Sequence, residues 1–110
     1  MAEEIITSLS LFFFASLLEI GGGYLVWTWL REHKGKIFGL FGALILFSYG
    51  IVPTFQQANF GRVYAAYGGI FIISSILWGY FLDKKKPDRF EIIGSGIVLI
   101  GVIVMFYFPR

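Results

Sequence analysis

The sequence predicts an all-α integral membrane protein, a bundle of four transmembrane helices. Of its 110 residues, 57% are hydrophobic and only 15% are charged, whereas a soluble domain carries about 25% charged residues. The charged residues are clustered, so they separate four apolar stretches of roughly the length that crosses a bilayer, about 20 residues. We therefore expect a single membrane domain over residues 1–110, with the lipid bilayer as its main partner.

The first predicted helix runs from about residue 5 to residue 30. Trp27 and Trp29 near its end, followed by Arg31, are typical of an interfacial aromatic belt with a charged stop. This stretch is long enough to span the bilayer with residues to spare.

Glu19 is the only acidic or basic residue within that helix. A carboxyl group at this depth costs about 2.5–3.5 kcal/mol, so we expect it to turn away from lipid. Helical periodicity places Phe12, Ala15, Ser16 and Gly22 on the same face, and the small residues among them leave space beside the carboxyl group. The opposite side, which includes Phe13 and Leu17, is suited to lipid. Intramembrane acids mark ion or substrate pathways. The alternative is a carboxyl group that only joins two helices by hydrogen bonds.

The second and third predicted helices run from about residue 37 to 52 and from about residue 62 to 82. Pro53 ends the second, because proline disfavours helix at the residue before it. One face of the third carries aromatic and small residues at helical spacing: Tyr64, Tyr67, Gly68, Phe71, Ser75 and Trp78. This stripe indicates either packing and interfacial anchoring or one wall of a cation pathway, because ring faces attract cations.

The fourth predicted helix runs from about residue 90 to residue 108. Gly94 and Gly101 lie seven residues apart on one face, a pattern that favours a close helix–helix seam. The pattern leaves open whether this seam lies within one subunit or between two.

The positive charges predict the topology. Seven of the nine Lys and Arg residues fall in the first and third predicted loops: Arg31, Lys34, Lys36, Lys84, Lys85, Lys86 and Arg89. The positive-inside rule places these loops in the cytoplasm and both termini outside it. Because the positive charge lies in short loops, we interpret it as topological and expect no binding of nucleic acid.

The sequence carries no pattern typical of an enzyme. Cysteine is absent, and the helices hold no Ser/His, Cys/His or paired-carboxylate arrangement. We therefore expect no enzymatic activity, no metal site and no cofactor.

Residues 61–69, Gly-Arg-Val-Tyr-Ala-Ala-Tyr-Gly-Gly, resemble the signature of the YnfA family of small four-helix inner-membrane proteins. Residues 18–21 and the Trp27/Trp29 pair resemble the first helix of that family. The YnfA family is similar to the small multidrug resistance transporters of the drug/metabolite transporter superfamily. The resemblance covers nearly the whole chain and implies a small multidrug resistance-like fold in the inner membrane.

The resemblance also implies roles for individual residues. Glu19 falls where those transporters keep their essential intramembrane Glu, with Gly22 at the matching spacing. Tyr64 and Tyr67 fall where those transporters keep a Tyr and a Trp beside the substrate. For an exporter of this kind, Ser16, Gly22 and Ser75 are lesser candidates. The resemblance matches Gly94 and Gly101 to the dimer seam of those transporters. It therefore implies a homodimeric exporter of small cationic compounds, in which protons compete for the carboxyl group.

A different class of function stays open. A non-transporting membrane subunit would associate with a partner through its glycine-rich helices. Such a subunit should tolerate Glu19→Gln, which keeps the hydrogen bonding, whereas a proton-coupled carrier should not.

Overall fold

The computed structural model describes residues 2–110, and every regular element in that range is a helix. Four helices are long and apolar enough to cross a membrane, so the predicted all-α, four-helix fold class is confirmed. In chain order, the helices are α1 (Ala2–Arg31), α2 (Lys36–Ile51), α3 (Phe60–Phe81) and α4 (Arg89–Val102).

Short helical turns lengthen two of these helices. A 3₁₀ turn at Val52–Phe55 continues α2, and a π-helical turn at Ile103–Tyr107 continues α4. The second span therefore extends past residue 52, where the sequence predicted its end. Pro53 lies where the α-helix changes to the 3₁₀ turn, because it has no N–H with which to continue the α-helical hydrogen bonding.

Side-chain caps fix where α3 and α4 begin. The Asn59 side chain accepts a hydrogen bond of 2.9 Å from the backbone N–H of Arg62. Asp88 and Glu91 form a capping box, in which each side chain accepts from the backbone N–H of the other residue, at 2.8 and 3.0 Å. These bonds satisfy donors that a helix N-terminus leaves unpaired.

Glycines allow α1 and α2 to pack as a close antiparallel pair. A Cβ atom on Gly22 would lie 2.8 Å from Cγ of Leu46, and one on Gly42 would lie 2.8 Å from the carbonyl oxygen of Gly22. Gly39 is in the same position against the Trp29 ring. Because any side chain would push the helices apart, these glycines set the interhelical distance.

The buried core lies between α1, α3 and the ends of α2 and α4. Its fully or nearly fully buried hydrophobic residues are Phe12, Ala15, Val52, Val63, Ala66, Tyr67 and Val102. The face of α1 that carries Glu19 is buried at Phe12, Ala15, Ser16 and Gly22, while Phe13 and Leu17 are exposed. Helical periodicity in the sequence predicted both faces.

The bundle has two distinct ends. At the first, which we call the termini end, Ser8 of α1 lies beside Gln56 and Tyr107. At the opposite end, the loop end, Glu32 and Asp83 from the first and third loops border one cavity. Glu19 lies between the two ends, near the middle of α1.

Candidate functional site

A single strong hydrogen bond joins Glu19 to the neighbouring helix. The hydroxyl group of Tyr67 on α3 donates to Oε1 of Glu19 on α1, at 2.7 Å. Tyr67 is buried at 4% exposure, whereas Glu19 is only partly buried. The carboxyl group therefore has one firm donor and a side that stays accessible.

A second tyrosine, Tyr49 on α2, completes this environment. Its ring centroid lies 5.4 Å from that of Tyr67, and its hydroxyl group is close to both the Glu19 carboxyl group and Tyr64. Three helices thus contribute polar groups to one point. Tyr49 was not among the residues predicted from the sequence, although it is the single tyrosine of the second predicted helix, a signal that could have identified it.

The accessible side of Glu19 faces a cavity of about 740 Å³. This cavity, which we call the Glu19 cleft, extends to the loop end of the bundle, where it is bordered by Glu32 and Asp83. Its walls include the rings of Tyr24, Trp27, Phe71 and Trp78. The cleft therefore forms a path from the loop end to the middle of the bundle, with carboxyl groups at its mouth and at its inner end.

The chemistry of the cleft favours positive charge. Three carboxylates and no Lys or Arg are among its lining residues in the described chain, although the adjoining loops are strongly basic. Arg31 lies over the Trp27 ring instead, with its guanidinium carbon 4.6 Å from the centroid. Carboxylates and ring faces both attract cations, and a cleft lined with one sign of charge raises the local concentration of the opposite sign.

Some of the residues predicted from sequence lie near Glu19, whereas others make packing contacts. Ser75 lines the Glu19 cleft with Glu19, and Tyr67 donates to its carboxyl group. Tyr64 packs on Phe60, with ring centroids 4.4 Å apart, and is near Tyr49.

Ser16 and Gly22 lie on the same face of α1 as Glu19 but make packing contacts. The Ser16 hydroxyl donates to the carbonyl oxygen of Phe13 at 2.7 Å, and Gly22 faces α2. Tyr67 and Ser75 therefore lie at Glu19, whereas Ser16 bonds to the backbone of its own helix and Gly22 packs against α2.

The path is closed on the other side of Glu19. Phe12 stacks on Tyr67 with centroids 6.4 Å apart, and Phe106 meets Phe12 edge-to-face at 5.2 Å. A second cavity, of about 620 Å³, lies beyond these rings at the termini end. Packed aromatic rings thus separate it from Glu19.

Residues 2–110 contain no arrangement of side chains suited to binding a metal ion. No group of three or more His, Cys, Asp or Glu side chains converges there in a way that could hold an ion. Glu32 and Asp83 lie at the loop end and Glu19 lies near the middle of α1, so the three acids of the cleft do not surround one point.

Comparison with known proteins gave close relatives of similar length. A family model described as "Uncharacterised BCR, YnfA/UPF0060 family" matches residues 5–110. The chain is 57% identical over 109 residues to a UPF0060 membrane protein of Clostridium beijerinckii, covering 97% of this chain and 98% of the relative. It is 59% identical over 101 residues to UPF0060 membrane protein YfjF of Bacillus subtilis, covering 91% and 93%. No solved structure matches.

Proposed function

This chain belongs to the YnfA/UPF0060 family of membrane proteins, and from that premise we propose that it is a proton-coupled exporter of small organic cations. One observation carries the proposal. The Glu19 carboxyl group, held by Tyr67 at 2.7 Å, lies at the inner end of a cleft lined by acids and aromatic rings. The proposal is for a carrier without a chemical step, and not for an enzyme.

Competition for one carboxyl group would couple the two movements. The Glu19 carboxyl group can bind either a proton or an organic cation, and either one neutralises its negative charge. An organic cation that enters the cleft replaces the proton, because a single carboxylate cannot hold both in the same place. The rings of the walls then cover the apolar part of the cation and attract its charge.

We propose further that two copies in the inner membrane pair through α4. A Cβ atom on Gly94 or Gly101 would meet no atom of the same chain within 4 Å, so this face is free for another helix. Gly101→Leu should shift the protein toward monomer in mild detergent, as measured by cross-linking or light scattering. Gly96→Leu is the matched control, because Gly96 also has open space around it but lies on the opposite face of α4. Equal dimer fractions in both variants would contradict the seam.

A second candidate function, the non-transporting subunit, shares the observation of this open glycine face. It gives no role to the acidic lining of the cleft. The two functions therefore differ in what Glu19 must do, since a subunit needs only the hydrogen bond with Tyr67, which a glutamine oxygen can also accept.

The decisive experiment is proton release from detergent-solubilised protein. Tetraalkylammonium, phosphonium and aromatic cations are added to weakly buffered protein, and the pH change is recorded. We expect release of up to one proton per cleft from the wild type and none from Glu19→Gln. Glu4→Gln, the same change at an exposed position in the first turn of α1, should behave as the wild type.

Two results would overturn the exporter. The first is a wild-type protein that releases no proton to any cation of the panel. The second is a Glu19→Gln variant that releases as many protons as the wild type. Either result would leave the subunit as the better account.

A further inference from the structure

Three polar side chains join separate helices at the termini end of the bundle. Ser8 Oγ donates to Oε1 of Gln56 at 2.9 Å, and Gln56 Nε2 donates back to the carbonyl oxygen of Ser8 at 2.9 Å. The Ser8 hydroxyl also shares a hydrogen bond of 3.0 Å with the Tyr107 hydroxyl. We call this set of residues the latch. It joins α1 to the segment after α2 and to the end of α4.

The latch is the polar connection between the first and last helices. Within residues 2–110, the Ser8–Tyr107 bond is the only side-chain hydrogen bond between α1 and the end of α4. The other contacts between these parts are apolar, and Phe12 meets Phe106 edge-to-face. Breaking this bond would therefore leave only apolar contacts between the end of α4 and α1.

The π-helical turn at Ile103–Tyr107 positions two consecutive rings for this contact. Phe106 and Tyr107 are both partly buried, while the three residues before them and Phe108 are exposed. Phe106 packs on Phe12, and Tyr107 reaches Ser8. Single π-helical turns occur often at functional sites, where they change the direction of side chains.

A continuous series of contacts leads from the latch to Glu19. Tyr107 is followed inward by Phe106, whose ring lies 5.2 Å from that of Phe12. Phe12 stacks on Tyr67 at 6.4 Å, and Tyr67 donates to Glu19. Every member of this series is packed against the next, so a movement of the Tyr67 ring requires a movement of Phe12 and then of Phe106.

We propose that the latch keeps the cavity at the termini end separated from Glu19, and that a cation bound at Glu19 releases it by displacing the Tyr67 hydroxyl. The coupling rests on the proposed function, whereas the latch itself does not. Neutral hydrogen bonds contribute little net stability each, so a ligand with different affinities for the closed and open forms can shift the balance between them. The Glu19 cleft would then open in turn to the two membrane faces.

The test measures access to a buried position behind the latch. Val63 is 3% exposed and lies one helical turn before Tyr67. The natural chain has no cysteine, so Val63→Cys gives a single thiol whose reaction with a water-soluble maleimide is followed in detergent. Tyr107→Phe and Ser8→Ala should each raise the labelling rate by roughly three- to tenfold, the range that one neutral hydrogen bond allows.

Matched controls separate opening of the latch from loosening of the whole fold. Tyr80→Phe makes the same chemical change at an exposed tyrosine near the loop end and should leave the labelling rate of Val63→Cys unchanged. A thiol at Gln57, which is exposed at the termini end, should react equally fast in all variants. Tetraphenylphosphonium should raise the Val63→Cys rate in the wild-type background but not with Glu19→Gln.

The outcomes separate the two parts of the proposal. Labelling that is unchanged in both Tyr107→Phe and Ser8→Ala overturns the latch. If these variants raise the labelling rate but tetraphenylphosphonium does not, the latch stands and its coupling to Glu19 is overturned. If no cation releases protons while both variants raise the labelling, the exporter fails and the latch stands.

Discussion

At the scale of single residues, the Glu19–Tyr67 hydrogen bond determines how the carboxyl group is presented. The bond occupies one oxygen and fixes the direction of the side chain, while the opposite side faces the cleft. Tyr67 is buried, so its hydroxyl would lose a partner rather than exchange it for water if Glu19 moved away. In the proposed mechanism Glu19 exchanges the proton, and Tyr67 positions Glu19.

Tyr67→Phe tests this division between the two residues. The ring and its packing remain, but the donor to Glu19 is lost. We expect the free energy of unfolding to fall by about 1–3 kcal/mol, the usual range for a hydrogen bond that involves a charged or buried group. Proton release on cation binding should persist with a changed cation affinity, because Glu19 is still present. Complete loss of proton release would show that Tyr67 takes part in the exchange itself.

At the scale of the helices, glycine sets how closely each pair approaches. Gly69 on α3 faces Val102 on α4 so closely that a Cβ atom would overlap the valine side chain. The neighbouring Gly68 has no atom within 4 Å of the same position. Packing within the chain therefore requires a glycine at residue 69 but not at residue 68.

Gly69→Ala and Gly68→Ala form a matched pair that tests this difference. An added methyl group at residue 69 must push α4 away, so we expect a loss of about 1–3 kcal/mol in the free energy of unfolding. The same change at residue 68 should cost little or slightly stabilise, because alanine favours helix over glycine. Unfolding in mixed micelles, followed by circular dichroism, gives both values. Equal losses would mean that α3 and α4 pack differently from the arrangement described here.

At the scale of the whole molecule, the distribution of charge and the position of the cleft point to the same membrane face. The Glu19 cleft opens at the loop end, which carries seven of the nine Lys and Arg residues. The charge rule predicts that this end is cytoplasmic. A carrier in the described form would then receive cations from the cytoplasm, the direction that export requires.

Reporter fusions test this orientation. A reporter active only outside the cytoplasm should give signal when fused after Arg110 and none when fused within the third loop at Lys85. A reporter active only in the cytoplasm should give the opposite pattern. Strong cytoplasmic signal at Arg110 would reverse the assignment. Equal signal from both reporters at Arg110 would mean that copies insert both ways, as an antiparallel homodimer requires.

Features that depend on one helix at a time could be predicted from the sequence. Apolar length gave four spans, and the 3.6-residue period placed Phe12, Ala15 and Ser16 on the buried side of α1. The motif at residues 61–69 led to the family. Each of these follows from the local chain, because the faces of a helix are fixed by spacing alone.

Which of these helix faces meet could not be predicted from the sequence and is seen only in the packed bundle. Tyr64 and Tyr67 share one stripe in the sequence, but only Tyr67 donates to Glu19. Tyr49 joins them from α2, and the sequence did not show that this helix would face Glu19. Ser16 and Gly22 share the face of Glu19, yet they contact the helix backbone and α2. The physical reason is that helix rotation and crossing depend on how side chains of different helices interlock, which no single helical period records.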